Sequence, residues 1–262
     1  MLIAIDVGNT NMVFGIFEGE NLIGSFRLMT DVNRTSDEIG LSAYEYFHRF
    51  GWSADQVEDV IIASVVPSVM YSLTSAMVKY FNRTPLVVDV DIDPALPYVE
   101  SDSDERLGAD RAVACIAAMT KYGKPLIVLD FGTATTVDAV NADGVYQGGC
   151  ISAGLRVSTE ALFSKAAMLP HVELVKPPKA LNTTAVGQIQ AGAVGGYIGA
   201  MEYLIRQVKD ELGYGGHVKV VATGGLARLI ADNCPLIDAV DPQLILDGLL
   251  LLYRRYLSQR DL

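Results

Sequence analysis

An α/β fold made of two similar halves is what this sequence predicts. Two observations carry the prediction. Apolar strand segments alternate with segments of helical periodicity along most of the chain, the pattern of a layered α/β architecture. One local pattern also occurs twice, about half a chain apart. It is an apolar strand, an aspartate, a glycine two positions on, and then short polar or small residues. It reads MLIAIDVGNTN at Met1 to Asn11 and PLIVLDFGTATT at Pro125 to Thr136.

The elements follow in order. Leu2 to Ile5 is an apolar strand, and Met12 to Ile16 and Leu22 to Leu28 continue it as strands joined by the turn-like EGEN. Thr35 or Ser36 caps a helix whose first turn is acidic and whose apolar residues recur at Ile39, Leu41, Tyr44 and Phe47. Val60 to Val65 is a strand, and Pro67 opens the next helix, where its missing N–H costs nothing. PLVVDV is a short strand. Residues 91 to 107, DIDPALPYVESDSDERL, are an acidic, proline-containing loop that could also act as a lid or a domain connection. GADRAVACIAAMTKYG is a helix with Asp110 in its first turn and Gly123 as its stop.

The second strand, Leu126 to Leu129, then stops at Asp130, and TTVDAV and GVYQGGCI form a hairpin around NADG. This repeats the start of the chain, so each half opens with an antiparallel meander. VGQIQAGAVGGYIGAMEYLIRQVKDEL is one long helix carrying Gly192, Gly195, Gly196 and Gly199. Each glycine weakens a helix by about 1 kcal/mol against alanine, so close approach of another helix or of a ligand is expected there. VKVVATGGLARLI is a strand, a Gly-Gly turn and a helix start, and DPQLILDGLLLLYRRYL is a terminal helix.

Composition narrows the function. The 262 residues are 50% hydrophobic, enough for a large core. Twenty basic residues against 31 acidic give a net charge of −11, which argues against nucleic acid as a partner. An anionic ligand must then be held locally, by backbone N–H groups or a metal. No apolar run approaches the ~18 residues of a membrane span, and no membrane association is expected. The N-terminus lacks a basic n-region. Cys115, Cys150 and Cys234 show no metal-ligand spacing and read as plain thiols, which suits a reducing cytoplasm.

A carboxylate at the end of a buried strand is awkward unless it serves a cation or a polar ligand. A neighbouring glycine lets a ligand approach the backbone, and exposed N–H groups cradle anions. The two turns, Asp6-Val7-Gly8-Asn9-Thr10-Asn11 and Asp130 with Gly132 and Thr133, could face each other across a cleft and hold a nucleoside triphosphate. Their carboxylates would position Mg²⁺ and its waters. One such turn alone is often only a tight turn; the pair in matching strand contexts points to function. Neither a P-loop nor a Rossmann glycine fingerprint is present. Gly224 and Gly225 in ATGGLAR form either an adenosine-binding turn or a simple strand-to-helix turn. In GADR, Asp110 is the candidate general base, ionised at a helix N-terminus, and Arg111 could hold an anionic substrate group. A capped helix with a surface ion pair is the plainer alternative.

With these residues the sequence resembles the type III pantothenate kinases, within the superfamily of acetate and sugar kinases, Hsp70 and actin. The likeness covers DVGNTN at Asp6 to Asn11, ASVVP at Ala63 to Pro67, GADR at Gly108 to Arg111, DFGTATT at Asp130 to Thr136 and GGCISAG at Gly148 to Gly154. It continues through LFSKAAMLP, ATGGLA and DPQLILDGL. It implies two ribonuclease-H-like domains, the actin-like ATPase fold, with a cleft between them, divided as 1–115 and 116–262. It further implies ATP-dependent phosphorylation of pantothenate, the first step of coenzyme A synthesis, by a cytoplasmic homodimer whose interface completes the pantothenate pocket. Mg²⁺ and a monovalent cation, K⁺ or NH₄⁺, are implied cofactors.

On the matching positions, Asp110 would be the base, Asp6 to Asn11 and Thr133 would contact ATP, and Asp130 would bind the monovalent cation. Gly108, Ala109, Asp110, Arg111 and Thr184 would contact the substrate. Where the family has a Gly-Pro-Gly segment the chain has DVDIDPAL. The family's tyrosine position before GADR is Ser101, with Tyr98 nearby; Pro-Gly is Ala153-Gly154; and the ungapped threonine position is Ala185, beside Thr184. A same-fold kinase for another small hydroxylated acceptor, or a nucleotide-binding regulator without turnover, are the alternatives.

Overall fold

The computed structural model describes residues 1–88 and 107–260. The expectations for Tyr98, Ser101 and most of the 91–107 loop lie outside the described residues. Two compact units are present: residues 1–88, 107–117 and 244–260 form one, and residues 118–243 the other.

The first unit begins with the expected meander. Strands β1 (Leu2–Val7), β2 (Asn11–Glu18) and β3 (Asn21–Met29) pair antiparallel. Helix α1 (Ser36–Arg49) follows, then β4 (Asp59–Ser64), α2 (Pro67–Phe81) and β5 (Leu86–Val87). Strand β4 lies parallel to β1, and the sheet order is β3-β2-β1-β4-β5. Thr35 caps α1 in a full capping box with Glu38, as the sequence signals require. The core joins Ile3, Ile5, Phe14 and Ile62 of the sheet to Ile39, Phe47, Leu73 and Met77 of the helices. Helix α3 (Ala109–Tyr122) starts in this unit, and Gly123 beyond it adopts φ +80°.

The second unit repeats the plan. Strands β6 (Leu126–Phe131), β7 (Ala134–Val140) and β8 (Tyr146–Ala153) form the meander. Helices α4 (Leu155–Lys165) and α5 (Ala185–Gln190) follow. A π-helical stretch, Ala191–Gly195, leads into α6 (Gly196–Leu212). Then come β9 (Lys219–Thr223), parallel to β6, α7 (Ala227–Ala231) and β10 (Ala239–Val240). Read from its meander edge, the order β8-β7-β6-β9-β10 matches the first sheet strand for strand. Its core joins Ile127, Leu129 and Val220 to Val194, Ile198 and Ile205. The last helix, α8 (Leu244–Arg260), returns to the first unit, where Tyr253 donates a 2.5 Å hydrogen bond to Asp59.

Three expectations need correction. The strands do not stop before their aspartates: Asp6 pairs with Val13 and Ala63, and Asp130 with Thr136 and Thr223. Backbone pairing is indifferent to the carboxylate, which stands out of the ladder plane. The long helix is not uniform, because its glycine-rich start winds into a π turn. Among the described residues, nothing beyond the adjoining residues and the helix's own nearby backbone lies within 4 Å of where a Cβ would stand at Gly192, Gly195, Gly196 or Gly199. The close approach expected at those glycines is therefore not made by the described residues.

Candidate active site

The two repeats build near-identical platforms. Strands β1 and β6 are each six residues long with the same burial sequence, four buried residues, a half-buried aspartate and a buried residue. In each, the aspartate is the penultimate residue and the next glycine opens an exposed turn. In the first, Gly8 N–H donates to Asn11 C=O at 3.1 Å while Asn9, Thr10 and Asn11 are exposed. In the second, Gly132 N–H donates to Ala134 C=O at 3.1 Å while Gly132, Thr133 and Ala134 are exposed. Small exposed residues at these turns leave room for a ligand to approach the backbone.

The first unit brings GADR to the Asp6 turn. Strands β1 and β4 are parallel, so Val7 and Ser64 end side by side, and Val65 N–H donates to Val7 C=O at 3.1 Å. Gly108 packs on Val65: a Cβ at Gly108 would lie 3.4 Å from Val65 Cγ1 and 2.8 Å from Asp110 Oδ1. The ASVVP segment is thus the link that sets Asp110 at the same end of the sheet as Asp6. Asp110 is half-buried, and its Oδ1 accepts from the Arg111 N–H at 2.7 Å. It stands at the N-terminus of a 14-residue helix, whose dipole favours the ionised carboxylate. Val7 is buried. Ala109 and Arg111 are half-buried beside the carboxylate.

The second unit brings the Gly-Gly turn to Asp130. Because Thr223 pairs with Asp130, Gly224 follows directly at the strand end. Its φ of +91° suits glycine, and a Cβ there would stand 2.4 Å from Asp130 Oδ1 and 2.7 Å from the Phe131 backbone. Gly225 is exposed beside it. Asp130, Gly132, Thr133, Gly224 and Gly225 therefore form one cluster. Thr184 is placed elsewhere in the unit, as the exposed N-cap of α5, accepting from Gly187 N–H at 3.2 Å.

Sequence reasoning missed the residues that brace the turns. Thr30 donates its hydroxyl to Gly8 C=O at 2.7 Å and its N–H to Thr10 C=O at 2.9 Å. Gly154 donates its N–H to Thr133 C=O at 3.0 Å, and a Cβ there would fall 2.4 Å from Gly132 C=O. The GGCISAG motif contained that signal, as a glycine directly after a strand.

The profile of the family described as type III pantothenate kinase matches residues 2–207. A type III pantothenate kinase from Agathobacter rectalis is 42% identical over 255 residues, covering 97% of both chains. The chain belongs to the type III pantothenate kinase family. It is a kinase whose acceptor is pantothenate. Solved structures agree on the fold. A protein from Campylobacter jejuni, named for a Baf family of transcriptional activators, superposes with TM-score 0.61 at 17% identity, covering 98% of this chain and 99% of that one. The activator of 2-hydroxyisocaproyl-CoA dehydratase from Clostridium difficile, solved with bound ADPNP, gives 0.53 at 14%, covering 100% and 97%. The fold is that of the actin-like ATPases, two ribonuclease-H-like α/β units.

Proposed function

We propose that ATP is the phosphate donor and that Asp110 is the general base of the transfer. The observation that carries this reading is the Val65 link, which holds Asp110 beside the Asp6 turn in one unit. Asp6, Val7, Gly8, Asn9, Thr10 and Asn11 contact the polyphosphate through backbone N–H and short side chains, and Gly132 and Thr133 do the same from the second repeat. Gly224 and Gly225 admit the nucleoside. Asp110 accepts the proton of the pantothenate hydroxyl as its oxygen approaches the γ-phosphorus. Arg111 holds the carboxylate of pantothenate, with Gly108 and Ala109 at the same wall. Thr184, whose cap uses only an oxygen lone pair, keeps its proton to donate to substrate.

The donor set fits the implied cations. No cluster of three acidic, histidine or cysteine side chains is found among the described residues. A lone carboxylate per turn suits Mg²⁺ held through water at Asp6, and K⁺ or NH₄⁺ at Asp130 among backbone oxygens. When bound, such cations neutralise phosphate charge.

The working unit is a homodimer. Gly192, Gly196 and Gly199 lie exposed on one helix stretch, beside a cavity of about 620 Å³ walled by Leu155, Leu162, Ile189, Ala193, Tyr197 and Ala200. Glycines that none of the described residues outside their own helix approaches leave room for a helix of a second copy. The three free thiols suit a cytoplasmic protein. No helix of the described residues is long and apolar enough to cross a membrane.

ADP release with pantothenate, Mg²⁺ and K⁺ tests the base. Asp110→Asn keeps size and shape and should lower turnover about 10²- to 10⁴-fold while ATP still binds. Retained turnover would remove Asp110 from the chemistry.

A further inference from the structure

The turn at Gly132 and Thr133 is the loop between β6 and β7, and a single side chain of α6 touches the strands on both sides of it. Phe131, Thr135 and Ser152 are direct cross-strand neighbours, one from each strand of the meander. They form a row at the level where β6 ends and β7 begins, immediately under the turn. The phenol of Tyr197 donates to Thr135 Oγ1. The Ser152 hydroxyl, shielded from solvent, lies beside the same phenol. The ring packs on Phe131 with centroids 6.5 Å apart at 58°. Thr135 is 1% exposed, so this polar contact is made inside the core, where valine would otherwise serve. A directional hydrogen bond fixes what apolar packing leaves free to slide. Burial also pushes the Tyr197 pKa up, so the phenol remains a donor at any working pH.

We infer that Tyr197 is a positioning residue for phosphate transfer: by holding Phe131 and Thr135 it fixes the Gly132–Thr133 turn against the nucleotide. This rests on the reading of that turn as an ATP contact. Tyr197 itself touches no reacting atom. Its effect is on where the Thr133 N–H and hydroxyl stand, and small misplacement of such groups is costly to rate.

Steady-state kinetics with thermal unfolding provide the test. Tyr197→Phe keeps the ring and removes the donor. KM for ATP should rise about five- to tenfold, with KM for pantothenate unchanged. Thr135→Val should do the same and serves if loss of the phenol alone impairs folding. The double variant Tyr197→Phe/Thr135→Val removes both partners, so the melting temperature should recover toward wild type while the raised KM for ATP persists. A merely structural bond predicts otherwise. KM for ATP would stay at the wild-type value in the single variants, or would recover with the melting temperature in the double; either result overturns the proposal. Thr133→Ala separates the two levels. If it raises KM for ATP and Tyr197→Phe does not, only the positioning role fails. If neither changes it, the phosphate role of the turn fails as well, and the inference with it.

Discussion

The Asp6 turn and the Asp130 turn sit on the same strand scaffold but are braced in different ways. The first is held from outside by Thr30, whose hydroxyl and N–H bond Gly8 and Thr10. Gly8 itself is uncrowded, since a Cβ there would meet only Asn11 C=O at 3.4 Å. The second is held by backbone packed on backbone. Gly154 presses on the carbonyls of Gly132 and Thr133, and Gly224 presses on Asp130 and Phe131. One repeat fixes its turn with a replaceable side chain, and the other with glycines that nothing can replace. The duplicated plan sets where the carboxylates stand, and the bracing is particular to each unit.

Alanine substitution should break this comparison most sharply. Gly224→Ala puts a Cβ at φ +91° and 2.4 Å from a carboxylate oxygen. Backbone strain of about 1–3 kcal/mol adds to that clash, so a large fall in melting temperature and loss of turnover are expected. Gly8→Ala should cost under about 1 kcal/mol in the same melting assay, because no strain or clash is created. Equal losses at the two positions would contradict the contrast.

Thr30→Val should come next. It removes one hydrogen bond of about 1 kcal/mol and should raise KM for ATP several-fold, and Thr30→Ser should restore it. Thr35→Ala removes the cap of α1 and should cost about 1 kcal/mol of stability with KM for ATP unchanged. It separates global stability from turn placement.

The smallest effect concerns Glu38. The backbone N–H and hydroxyl of Thr35 hold its carboxyl below the ordinary 4.5. A carboxyl depressed in the folded state stabilises above its unfolded pKa, and that contribution fades as pH falls through the lower folded value. Wild type should lose slightly more stability than Glu38→Gln as acid unfolding is followed below pH 4.5.

Much of this was legible in the sequence. The meanders, the cap at Thr35, the helix start at Pro67 and the stop at Gly123 are local chemistry, so local patterns reveal them. The paired Asp-x-Gly turns were legible because repetition raises a weak signal. Helix α4 was not, since Gly154 offers no side-chain cap and Leu155 to Lys165 buries only Leu155 and Thr159. Strand β10 is two residues long and is held by pairing with β9 rather than by its own pattern. Thr30, Gly154 and Tyr197 act across 20 residues or more of chain, and apart from the GGCISAG glycine nothing in their neighbours marks them. The π turn at Ala191–Gly195 is legible in the sequence only as an excess of glycine.

The Asp6 turn and the Asp130 turn are each proposed to hold ATP. Binding of a non-hydrolysable ATP analogue with Mg²⁺ and K⁺, measured by calorimetry on Asp6→Asn and on Asp130→Asn, tests it most directly. Each variant alone should weaken binding about tenfold or more. Wild-type affinity in either variant would show that its turn takes no part in holding ATP, and the paired account would be wrong.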